Sequence, residues 1–197
     1  MRVLIALAKP VEVTNHGRKF MGCARFLAIV AVLMAPLSLK ASTRSQPVSE
    51  DDLKAVFIFR FTQFVGWPPS AFESPAAPLT IGVIGDDRLC KALEQVAAGE
   101  STGGHPLEVR LIRRAADAAR CQVLYLAPGE EDARLISRLR ARPILTVGDT
   151  DAFIRDGGMI RFMQEAHRLR LLINLHAARE ASLGISAQLL RVAEVEQ

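Results

Sequence analysis

Asp149, Asp151 and Asp156 crowd into GDTDAFIRDGG, and Asp86-Asp87 close a second acidic turn in TIGVIGDD. Clustered carboxylates of this kind first suggest a cation site. A calcium loop needs closer alternation and a terminal glutamate, so the first cluster reads as a polar loop at a strand end. The second could belong to a nucleotide site, whose fingerprint is G-x-G-x-x-G between a strand and a helix. The run Gly82-Val83-Ile84-Gly85-Asp86-Asp87 has the wrong spacing, and two acids stand where a pyrophosphate would approach. Asp86 and Asp87 read instead as caps of the next helix. Asp86 and Asp149 remain candidate ligand-loop residues, because both follow strands whose carboxyl ends can frame a small solute. His167 and His176 lack Cys or Glu partners at metal-ligand spacing, and His105, before Pro106, reads as a surface residue. A G-x-S-x-G nucleophile elbow is absent. The expectation is a protein without catalytic residues, bound metal or cofactor.

The chain has three cysteines. Cys23 falls in an N-terminal leader. Cys90 lies in the first turn of a helix after one strand, and Cys121 starts another strand. Parallel strands would hold the two thiols at opposite ends of the sheet, roughly 20 Å apart at about 3.3 Å per residue. A disulfide needs Cα atoms within about 7 Å, so an intrachain bridge is not expected. An exposed Cys90 bridging two copies in a homodimer is the remaining option.

The aromatic residues are concentrated in VFIFRFTQFVGWPP, which holds the single tryptophan. The helix that carries them is predicted over 51–65, with Ser49 as N-cap and Asp52 completing a capping box. Leu53, Val56, Phe57, Phe61 and Phe64 follow the 3.6 period and define its expected core stripe. Gly66 is read as the C-cap, and Pro68-Pro69 prevents resumption. Trp67 stands beyond the helix on a proline-fixed turn. It is expected to be half-buried, shared between the core and a partner, with Phe57 and Phe61 as further partner-binding candidates.

The elements that must position these residues alternate. Strands are predicted at 78–87, 105–112, 121–127 and 143–149, with helices at 88–98 and 129–141. Two strands follow, Met159–Gln164 and Arg168–Asn174, around a turn at Glu165-Ala166, with Gly157-Gly158 placed for positive φ. One or two helices close the chain. The fold class is a single-domain α/β protein: a mainly parallel central sheet, a C-terminal antiparallel hairpin, and helices on both faces.

The net charge of +4 is misleading. Residues 1–41 hold six basic residues and one acid, which leaves 19 basic and 20 acidic residues in 42–197. A near-neutral body excludes a nucleic-acid footprint. Arg18, Lys19 and Arg25 precede the apolar run FLAIVAVLMAPLSL at 26–39, followed by small residues. That order is a Sec-type signal peptide, with cleavage at Ala41-Ser42 and Met21 as an alternative start. The expected organisation is a signal peptide at 1–41, a linker at 42–49 and an α/β domain at 50–195.

Five blocks, LKAVFIFRFTQFVGWPPSAF (53–72), LTIGVIGDD (79–87), CQVLYLA (121–127), ILTVGDTDAFIRDGGMIRF (144–162) and LRLLINLHAAREASLGISAQLLRVA (169–193), resemble the YfiR family of exported bacterial proteins. The resemblance implies a compact periplasmic α/β protein without a catalytic site. It also implies a repressor that contacts the periplasmic part of a membrane diguanylate cyclase and keeps cyclic-di-GMP low, restraining biofilm matrix. The family often carries a cysteine in the first strand, where this chain has TIGVIG. The alternative class is a periplasmic solute-binding module. Export has a direct test: N-terminal sequencing of the mature protein should begin near Ser42, and retention of Met1 would exclude the leader.

Overall fold

A computed structural model describes residues 49–165 and 168–196. The leader, the linker before Ser49 and the Ala166 half of the expected hairpin turn lie outside the described residues.

The first helix, α1 (Glu50–Phe64), starts as its sequence dictates. The Asp52 amide donates to Ser49 Oγ and the Ser49 amide donates to Asp52 Oδ2, both at 3.1 Å, which satisfies two otherwise orphaned donors. Its buried face is not the expected one. Ala55, Ile58, Phe61 and Thr62 are fully buried and Lys54 nearly so, whereas Leu53 and Val56 are 39% and 44% exposed. Apolar residues occur on most sides of this helix, so periodicity alone does not fix its rotation. The helix ends at an extended Val65 instead of a glycine cap. Val65 and Gly66 form β1 (Val65–Gly66), antiparallel to Ile185 and Gly184.

The central sheet is built from β2 (Leu79–Ile84), α2 (Asp87–Ala97), β3 (Ser101–Thr102), β4 (His105–Leu111), β5 (Val123–Leu126), α3 (Ala133–Leu139), β6 (Leu145–Gly148), α4 (Asp151–Arg155), β7 (Ile160–Glu165) and β8 (Arg168–Asn174). The chain ends with α5 (Leu175–Glu180), β9 (Gly184–Ile185), α6 (Ala187–Leu190) and β10 (Glu194–Glu196). The strand order is β10-β8-β7-β6-β5-β2-β4-β3. All neighbours pair in parallel except β7 with β8 and β3 with β4. This is the mixed α/β sheet that the strand–helix alternation predicts, with the C-terminal hairpin as its antiparallel part.

Two apolar clusters cover the two faces. Leu79, Ile81, Val83, Val123, Tyr125, Leu145 and Val147 meet α1, α2, α5 and α6. Leu124 and Leu126 point the other way and meet α3 and α4. Strands buried on both faces explain why β2 and β5 are nearly continuous apolar runs. Cys90 belongs to the first cluster and Cys121 to the second, so the thiols are separated by the sheet itself. Both are free and buried. The exposed Cys90 expected to bridge two copies is therefore corrected: its side chain is 4% exposed and packs within the first cluster.

Three further expectations change. The GDTDAFIRDGG segment is not only a polar loop, because it contains α4, which buries Phe153 and Ile154. The helix at 129–141 is shorter, and its acids Glu130 and Glu131 precede it, with Asp132 as N-cap. The two glycines before β7 serve different ends. Gly157 has φ +100°, whereas Gly158 is needed for space, since a Cβ there would overlap the Phe153 ring. Gly158→Ala should therefore cost about 1–3 kcal/mol of stability. The cost should show as a lower urea midpoint with an unchanged slope, and Phe153→Leu in the same chain should recover part of it.

Candidate functional site

Lys54 lies on the same helical stripe as Ile58 and Phe61, so α1 carries its ammonium down onto the sheet. There Lys54 Nζ donates to Asp149 Oδ2 at 2.9 Å and pairs with Glu50 at 3.0 Å. The lysine and aspartate side chains are only 10% and 12% exposed. The ammonium lies 5.9 Å from the ring centres of Tyr125 and Phe162. Tyr125 OH donates to the same Asp149 oxygen at 2.5 Å. Asp149 Oδ1 is buried without a hydrogen-bond partner among the described residues.

The exit from β6 is held as firmly. Glu131 Oε1 accepts from the amides of Asp149 and Thr150 at 2.7 and 3.1 Å, and its Oε2 accepts from the Thr150 hydroxyl. This approach requires Gly148, because a Cβ there would lie 2.6 Å from Glu131 Oε1. Arg161 on β7 donates from Nε to the Asp149 carbonyl at 3.2 Å and pairs with Asp151. Gln164 donates to Glu50 at 2.7 Å. One polar network thus joins the start of α1, strands β5 to β7 and the lead-in to α3. Sequence reasoning missed Lys54, Tyr125 and Glu131. The signal for Lys54 was its i, i+4, i+7 relation to Ile58 and Phe61.

Burial pulls the Lys54 pKa down, but the hydrogen bonds with Asp149 and Glu50 outweigh it and leave it above the ordinary lysine value. Burial, then donation to Asp149, raises the Tyr125 phenol far above its ordinary value.

Asp86 stands elsewhere. It caps α2, accepting from the amides of Arg88 and Leu89 at 3.0 and 2.9 Å. It also lines a cleft of about 520 Å³ with Asp51, Asp87, Arg88 and Arg113. Burial, then repulsion from Asp86, holds the Asp51 carboxyl above its usual range. Asp149 lines no part of this cleft, so the two candidate ligand-loop aspartates do not share a cavity.

The aromatic candidates also separate. Phe61 is fully buried, which removes it from any partner surface. Phe57 is half-buried and packs edge-on against Phe162 at 6.2 Å. Trp67 is half-buried, and its indole donates to the Gln122 carbonyl at 3.2 Å. Beside Phe57, Leu53 and Val56 continue an outward apolar stripe along α1.

Among the described residues there is no group of three or more His, Cys, Asp or Glu placed to hold a metal, and no helix long and apolar enough to cross a membrane. The architecture is a mixed α/β sheet domain organised around a buried polar latch. The chain belongs to the YfiR/HmsC-like family (DUF4154), which matches residues 51–194. Membership supports a periplasmic regulator of cyclic-di-GMP signalling in general terms. No curated protein matches the chain. Among solved structures, a conserved domain protein from Vibrio cholerae O1 biovar El Tor is 14% identical with a TM-score of 0.49, over 76% of this chain and 60% of that one. The ABC domain from Streptococcus pneumonia, in complex with L-Trp, is 12% identical with a TM-score of 0.42, over 65% and 58%. The chain thus spans about three fifths of each, and neither likeness carries functional weight.

The latch should be visible in alkali. Tyr125 and Lys54 both have raised folded-state values, so their contributions are whole below about pH 10, where the unfolded groups begin to titrate, and are lost as the pH rises further. Tyr125→Phe should cost about 1.5–3 kcal/mol at neutral pH, the range for a hydrogen bond to a charged group. It should also flatten the fall in stability above pH 10, measured by urea unfolding between pH 7 and 11.

Proposed function

We propose that this protein is a periplasmic repressor that contacts a membrane diguanylate cyclase and holds cyclic-di-GMP low. The observation that carries the reading, beside family membership, is the outward apolar stripe of α1. Leu53 and Val56 are exposed, Phe57 and Phe64 half-buried, and the whole helix is fixed to the sheet by the Lys54–Asp149 pair. Such a stripe suits a stoichiometric partner, because contact binding depends on a few apolar anchors on a rigid support. Trp67, on its turn beyond α1, is proposed as a second anchor. The leader at 1–41 would be removed on export.

A second reading is favoured by the cleft beside Asp86. Its acids and arginines suit a small zwitterionic solute at the carboxyl ends of β2 and β4. Thermal shifts with a panel of such solutes would reveal it, and Asp86→Asn should abolish a genuine shift.

Deleting the gene should raise cyclic-di-GMP. The wild-type protein should restore repression, and Val56→Asp should not, although an exposed position keeps its fold. Trp67→Ala should weaken capture of the cyclase's periplasmic domain roughly thirtyfold, for an anchor of about 2 kcal/mol. Unchanged cyclic-di-GMP on deletion would remove the cyclase assignment.

A further inference from the structure

At the amino-terminal edge of the central sheet, three cavities of about 330, 260 and 230 Å³ adjoin. The first two share Phe72, Glu73, Arg120 and Gln122, and the first and third share Ala119 and Arg142. Together they form a groove below the amino-terminal ends of β2, β5 and β6. Arg120, Arg142 and Arg138 line it, and none has an ion-pair partner among the described residues. Arg110 also reaches the groove but is held by both oxygens of Glu108 at 2.9 Å. Against these cations the lining contains one carboxylate, Glu73, on an exposed loop.

The floor narrows the chemistry. Gln122 is buried, and its polar atoms are committed: Nε2 donates to the Ala71 carbonyl at 2.7 Å, Oε1 accepts from the Thr80 amide at 2.8 Å, and its carbonyl accepts from Trp67. Phe72, Pro143, Ile144 and Leu139 add apolar wall, beside the Ser70 and Thr80 hydroxyls. The groove therefore offers guanidinium forks separated by apolar surface, and few neutral donors or acceptors. A glycan would need those neutral groups. A membrane surface is too flat to enter a concavity. One phosphate would leave most of the length empty.

We propose that this groove binds an extended acidic peptide segment of another protein. Alternation along such a strand turns carboxylates toward the arginines and apolar side chains toward Phe72, Pro143 and Ile144. Glu73 acts as the groove's own competing counter-ion. The site lies at the strand starts, away from Leu53 and Val56 of the α1 stripe but next to Trp67, whose indole bonds to its floor.

The chain's single tryptophan reports on the site, because its indole is bonded to the residue that floors it. The mature protein is titrated with an octapeptide of alternating glutamate and leucine, followed by tryptophan fluorescence at low and physiological salt. A saturable change that weakens with salt is expected. Arg120→Ala with Arg142→Ala should weaken binding about tenfold, and Glu73→Gln should tighten it roughly threefold, the scale of exposed ion pairs. Glu73 is exposed, so its variant tests the groove even if the double variant fails to fold. Val56→Asp should bind the peptide normally. The proposal is overturned if the charge variants leave affinity unchanged, if a lysine–leucine octapeptide binds as well, or if inorganic phosphate at matched ionic strength displaces the peptide completely.

Discussion

A lysine ammonium and an aspartate carboxylate meet beneath α1, largely shielded from water, and the arrangement of the domain follows from how they are held. Bringing two charges out of water is costly, and their attraction compensates only when further hydrogen bonds satisfy them. Tyr125, Glu50 and the fixed exit of β6 provide that support. The pair's main effect is on specificity. A helix with apolar residues on most sides can bury several alternative stripes at similar gain, and only one rotation brings Lys54 to Asp149. That rotation places Ile58 and Phe61 inside and leaves Leu53 and Val56 facing out.

The same network explains why small residues cluster where β6 ends. Gly148 admits the Glu131 carboxylate, and Gly158 admits the Phe153 ring. Side chains at these positions would push apart the elements that hold Asp149. Carboxylates and arginines meet where the parallel strands end, with Asp51, Asp86 and Asp87 beside Arg88 and Arg113, while Arg120 and Arg142 flank the strand starts without an ion-pair partner among the described residues.

Strand–helix alternation, the C-terminal hairpin and the Ser49 cap were legible because each rests on local chemistry: period, turn residues and a side chain that bonds its own backbone. The rotation of α1 was not legible, since Leu53, Val56 and Phe57 compete with Ile58 and Phe61 on hydrophobicity alone. Long-range pairing decided between them, and Lys54 and Asp149 are far apart in sequence. The short strands β9 and β10 were missed for a similar reason. Two or three residues carry no readable period, and their pairing depends on partners placed by the rest of the fold. Glu131 falls within the helix predicted at 129–141 but precedes α3 and clamps the backbone at Asp149 and Thr150. Trp67 was placed correctly on its turn, though its bond to Gln122 had no sequence signature.

Gly82 sits on β2 where a Cβ would lie 2.6 Å from Cys121 Sγ, so the sulfur packs directly against bare backbone. Burial pushes the Cys121 thiol up to about 11. Thiol chemistry proceeds through the thiolate, which at neutral pH is then nearly absent. An oxidant meeting this protein finds a sulfur that is mostly un-ionised and only 2% exposed, at the back of the groove below the strand starts. The missing side chain at position 82 is what lets the sulfur sink that far into the sheet, a form of chemical insulation.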